Sequence, residues 1–151
     1  MSGTWDASII STYAVRDGES LAADTVGNGD AFDVVANIRI GQNLMQFVDR
    51  CELFVSVRNL SRSTTVQHQH HTYELTPQEH SLQQRFRVKF ASEWDAGEGD
   101  ALEVITTFKV TSGINHDYTL ARSDPFIVTA RRPDRVDAYT GRDQAGRRRP
   151  P

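Results

Sequence analysis

The segment Leu82, Gln83, Gln84, Arg85, Phe86, Arg87, Val88, Lys89, Phe90 alternates apolar and polar residues through most of its length. A two-residue period sends successive side chains to opposite faces of an extended chain, so this segment is constrained to a strand with one buried and one wet face. Arg85, Arg87 and Lys89 mark the wet face. The pattern returns in Phe32, Val34, Ala36, Ile38 and Ile40, set against Asp33, Asn37 and Arg39. It returns again in Cys51, Leu53, Val55 and Val57 against Glu52, Ser56 and Arg58, and in Leu102, Val104, Thr106, Phe108 and Val110 against Glu103, Thr107 and Lys109.

Weaker segments complete the set. Trp5, Ala7, Ile9, Tyr13 and Val15 share a parity and predict a first strand with these side chains on one face. The apolar patch from Leu21 to Val26, held between glycine-rich turns, fits a short edge strand. Thr64 to Leu75 mixes β-branched and polar residues, which suits an edge strand with both faces partly wet, closed by Pro77. Tyr118 to Thr129 reads as a last strand in which Pro125 is tolerated only at an edge or a bulge. No stretch carries a 3.6-residue period long enough for a core helix. The expected fold is all-β: seven to eight antiparallel strands in a sandwich.

The chain has 151 residues, enough for one domain that buries roughly two thirds of its unfolded surface. Its charge is unevenly placed. Residues 1–130 hold 10 Lys plus Arg against 17 Asp plus Glu, whereas residues 131–151 hold 7 Arg against 3 Asp. The chain therefore divides into a domain over 1–130 and a basic Arg- and Pro-containing tail over 131–151, expected to be disordered or ordered by a partner. An acidic body disfavours nucleic-acid binding there, although the tail has the right sign for it. The single Cys51 excludes an intrachain disulfide. Met1 to Val15 lacks the early cations and apolar run of a signal peptide, and no segment approaches the ~18 apolar residues of a membrane helix. The expected setting is the cytoplasm, or a particle assembled there, with no membrane contact.

Asp117-Tyr118-Thr119-Leu120 followed by Ser123-Asp124-Pro125-Phe126-Ile127-Val128 resembles the closing strand of bacterial and fungal immunoglobulin-like modules. The resemblance covers about a dozen residues and implies an immunoglobulin-like sandwich. The cysteine pair of antibody-type domains is missing.

Three constellations bear on chemistry. His68-Gln69-His70-His71 places His68 and His70 on one strand face with Cβ atoms ~7 Å apart, and Glu74 follows four residues after His70. This is the spacing of a metal-binding pair, and it resembles the first metal motif of cupins. The flanking glycines and the second cupin motif are absent, and His80 or His116 completes the site only if loops bring them there. The acidic run Glu93, Asp95, Glu98, Asp100 and Glu103 has calcium-type donors without the spacing of a calcium loop. Trp94 reads first as a core plug reaching back between the sheets; in the alternative, Trp94 and Tyr118 are stacking aromatics for a carbohydrate or small ligand.

Nucleophilic chemistry has less support. No Ser sits in a Gly-x-Ser-x-Gly elbow, no glycine loop cradles phosphate, and Cys51 falls on a buried face. The expectation is a non-enzymatic interaction or assembly module without a cofactor. It binds a protein partner or sister subunits through edge strands, loops and the tail arginines Arg131, Arg132, Arg135, Arg142, Arg147, Arg148 and Arg149. The alternatives are a ligand-binding sandwich using Trp94 and Tyr118, and a metal-dependent enzyme using His68, His70 and Glu74.

Overall fold

The structure is a computed structural model in which residues 7–130 are described. Strands account for 62% of the described residues and helix for 3%, so the fold is all-β. In chain order the elements are β1 (Ala7–Arg16), β2 (Thr25–Gly27), β3 (Phe32–Ile40), the one-turn helix α1 (Gln42–Met45), β4 (Arg50–Asn59), β5 (Thr64–Glu74), β6 (Leu82–Phe90), β7 (Ala101–Ser112), β8 (Asn115–Arg122) and β9 (Phe126–Thr129).

They form two sheets. One has the order β1-β3-β6; the other runs β2-β9-β7-β4-β5, with β8 also paired to β7. Every pairing between named strands is antiparallel except β2 on β9, which is parallel.

The alternating segments become the central strands because their apolar parity has a second sheet to face. On β3, Phe32, Val34, Ala36, Ile38 and Ile40 are fully buried, and Val34 and Ala36 lie opposite Val88 and Phe86 of β6. Across the core stand Leu53, Val55 and Val57 of β4 and Leu102, Val104 and Phe108 of β7. Each such side chain contributes about 1.5–3 kcal/mol on removal from water. Phe32 anchors an aromatic group, stacked on Phe90 at 5.3 Å, met edge-on by Trp94 at 5.7 Å, and close to Phe126 at 6.2 Å. Buried polar contacts also span the layers: the hydroxyls of Thr12 and Thr106 are 2.9 Å apart, and the Ala7 N–H donates to the Asp117 carboxylate at 3.1 Å, while Thr12 also donates to the carbonyl of Val35 at 3.0 Å.

The first strand differs from its sequence reading. Between Ile9 and Ser11 the β1–β3 register shifts, leaving Ile10 57% exposed. The extra residue reverses the parity beyond it, so Thr12 and Ala14 are buried and Tyr13 is only partly so. The Tyr13 hydroxyl instead accepts a hydrogen bond from Arg85 at 2.8 Å. Val15 is buried all the same, beneath the returning chain that bridges to it at Ala22. Trp5 lies outside the described residues.

The last strand is divided. Pro125 has no N–H to give a ladder, and the Tyr118–Thr129 segment breaks there into β8 and β9, both on the same strand β7. Ser123 bridges the break: its backbone N–H donates to the Val104 carbonyl, its hydroxyl accepts from the Val104 N–H, and both distances are 2.9 Å. That division, with the short β2, makes nine strands among the described residues where seven to eight were expected.

Candidate functional site at the β5 edge

Among the described residues β5 ends the six-stranded sheet, with β4 on one side and no strand on the other. Its register with β4 sorts its side chains. Gln67, Gln69, His71 and Tyr73 lie opposite the core-facing Val57, Val55, Leu53 and Cys51, while His68, His70, Thr72 and Glu74 lie opposite Ser56, Phe54, Glu52 and Arg50 on the outer face. The second set is exposed and the first half-buried, as a two-residue period on an edge requires.

The inward set reaches toward the other sheet. Gln69 donates its amide to the main-chain carbonyl of Lys89 at 2.8 Å, Gln67 does the same to Ala91 at 3.3 Å, and Tyr73 stacks on Phe86 at 4.3 Å. Side chains of β5 thus cap acceptors along the free edge of β6. Polar residues at inward positions were the available sequence signal for this role. What they reach was not legible, because β5 and β6 share no ladder.

On the outer face the imidazoles take separate partners. The His70 ring lies flat on Phe54, with centroids 4.2 Å apart and planes 8° from parallel, and its Nε2 is 3.0 Å from the Glu52 carboxylate. His68 Nδ1 is 2.9 Å from the Ser56 hydroxyl, and His71, on the inward set, bonds Gln69 at 2.7 Å. His68, His70 and Glu74 do share a face, yet among the described residues no three His, Cys, Asp or Glu side chains gather around one point. His116 lies on β8, three strands away across β7 and β4, about 14 Å at the usual strand spacing. That distance removes it as a third donor.

Three members of the acidic run, Asp95, Asp100 and Glu103, have protein partners. The Asp100 carboxylate accepts from Asn59 at 2.8 Å, from Arg62 at 2.7 Å and from the Gly97 N–H at 2.7 Å. Those hydrogen bonds, led by Asn59, hold its pKa down at about 2. Glu103 pairs with Arg122 at 3.1 Å, and Asp95 accepts from Asn28 at 3.3 Å.

The two candidate aromatics do not come together. Trp94 is a plug, 7% exposed, whose indole N–H donates to the Asp30 carbonyl at 2.7 Å. Its insertion follows a turn at Glu93, which has a φ of 82° that side chains rarely adopt. Tyr118 is 62% exposed on β8, opposite Lys109. Cys51 is buried, and burial, with the neighbouring Glu52 charge, pushes its thiol up to about 12. A cleft of about 500 Å³ lies between the exposed Phe47 and Ile114, with no ionisable group in its wall. Arg131, Arg132, Arg135, Arg142, Arg147, Arg148 and Arg149 lie outside the described residues.

No helix among the described residues is long and apolar enough to cross a membrane. Compared with the models of known protein families the chain matches none, and no curated protein matches it.

Proposed function

We propose that the chain is a non-enzymatic interaction or assembly module, an immunoglobulin-like sandwich that joins a protein partner by accepting a strand along β5. The observation that carries this reading is the contrast between two edges. β6 ends its sheet with Arg85, Arg87 and Lys89 among its exposed residues and with its Lys89 and Ala91 carbonyls already accepting from Gln69 and Gln67. Charged side chains and occupied backbone groups are the usual protection of an edge.

β5 has little of that protection. Its 11 residues contain no Lys, Arg or Pro, and its one irregularity is a register shift near the Thr65 end. An unguarded edge presents a row of main-chain donors and acceptors, which give affinity to an added strand, while alternate side chains set its specificity. The separate partners of His68 and His70, the paired Asp100 and Glu103 carboxylates and the buried Cys51 thiol favour binding over catalysis. The basic segment 131–151 adds a second contact to an acidic surface, in the cytoplasm or on a particle assembled there.

A photo-cross-linking residue at exposed position 72 tests the reading in the cells that make the protein. The expected result is a discrete covalent adduct from Thr72 and none from a matched position on β6, such as Gln83. Adducts that form from the Tyr118 position and not from position 72 would move the function to a different surface.

A further inference from the structure

Resting on that reading of β5 as a strand-accepting edge, we propose that the added strand is β5 of a second copy of this chain, paired antiparallel about Gln69. A two-fold pairing uses the same surface on both partners, so the strand must be compatible with itself. From Thr64 to Tyr73 it contains no Lys, Arg, Asp or Glu, so no carboxylate, ammonium or guanidinium opposes its own image through that length. Centring on Gln69 sets His68 opposite His70 of the second copy and Gln67 opposite His71, matching polar ring and amide side chains of similar reach.

Charge at the two ends selects the direction. Glu74 is exposed at one end, opposite Arg50 on its own β4, and its carboxylate makes no ion pair among the described residues. At the other end Arg58 of β4 reaches the Thr65 hydroxyl at 2.8 Å. Antiparallel pairing carries Glu74 to the Thr64–Thr65 end of the second copy. Arg58 of that copy then stands one strand in, about 10 Å from the incoming backbone and within the combined reach of the two side chains. The two-fold repeats the contact. A parallel arrangement would place Glu74 against Glu74, which cross-strand pairing penalises.

Sedimentation equilibrium of the full chain should show a dimer. Glu74→Lys should weaken it about tenfold, as expected when rim ion pairs are replaced by repulsions, and adding Arg58→Glu should restore affinity. The pairing itself is read by cysteines on the exposed face. Directly opposed antiparallel residues have Cα atoms ~4.5–5.5 Å apart, within disulfide range. An oxidised mixture of His68→Cys and His70→Cys chains should therefore give a covalent dimer, and either variant alone far less. Circular dichroism of each variant guards against misfolding. A chain that stays monomeric, or a dimer indifferent to Glu74→Lys with no cross-link in the mixture, overturns the self-pairing. If the monomeric chain still captures a different polypeptide from position 72, only the identity of the partner falls. If position 72 captures nothing, the reading of β5 falls with it.

Discussion

The side-chain amide of Gln69 on β5 donates to the main-chain carbonyl of Lys89 on β6, joining the edges of two sheets that share no ladder. The bond leaves the backbone of β5 itself without a strand partner on its outer side among the described residues. Gln69→Ala removes this bond and the one to His71, and should cost about 0.5–1.5 kcal/mol for each. Urea unfolding monitored by circular dichroism measures the loss, and a change below about 0.3 kcal/mol would show that the contact holds nothing.

The Asp100 carboxylate is held at a pKa of about 2 by Asn59, Arg62 and Gly97. A depressed folded-state pKa stabilises the fold above the ordinary carboxylate value of about 3.9, and that contribution is lost as pH falls toward 2. Asp100→Asn should therefore flatten the acid limb of the stability curve between about pH 4 and pH 2. Melting temperatures of both proteins across that window decide the matter, and parallel curves would contradict the assignment.

Cys51 behaves in the opposite sense. Burial raises its thiol pKa to about 12, so its contribution to stability is complete below the ordinary thiol value and declines as pH rises toward 12. A thiol reagent at pH 8 should leave the native chain unmodified and react once it is unfolded, because the thiolate is the nucleophile. Prompt labelling of the native protein, followed by mass spectrometry, would refute the burial.

Removing the Trp94 plug should be expensive. Trp94→Ala empties a space walled by Phe32 and abandons the hydrogen bond to Asp30, for a loss of about 3–5 kcal/mol by guanidinium unfolding. Trp94→Phe keeps most of the volume and should lose less, with the difference reporting the indole N–H.

His70→Ala should cost about 0.5–1.5 kcal/mol through the lost stack on Phe54. Metal analysis of the purified wild-type chain should find zinc, iron and manganese below one equivalent, unchanged by the substitution. A stoichiometric ion lost with His70 would revive the metal-dependent alternative.

The strands themselves were legible where alternation was strong. β3, β4, β6 and β7 have their buried parity where the apolar residues put it, and Thr64 to Glu74 is the wet edge strand that its mixed composition implied. β1 was legible only up to Ile9, because one inserted residue at Ile10 reverses every face beyond it and leaves no mark in composition. Of the candidate site, the shared face of His68 and His70 followed from spacing, since position along a strand decides it. Their different partners, Ser56 for one and Phe54 with Glu52 for the other, depended on which strand lay alongside.

By itself, then, the sequence determined which segments extend and which of their faces avoid water, since backbone geometry and the transfer of apolar surface act residue by residue. The tertiary structure decided which strands became edges, what Gln69 caps, and that Trp94 is spent inside the core. Those outcomes depend on pairing between segments far apart in the chain, and a local pattern of side chains contains no information about the neighbour it will meet.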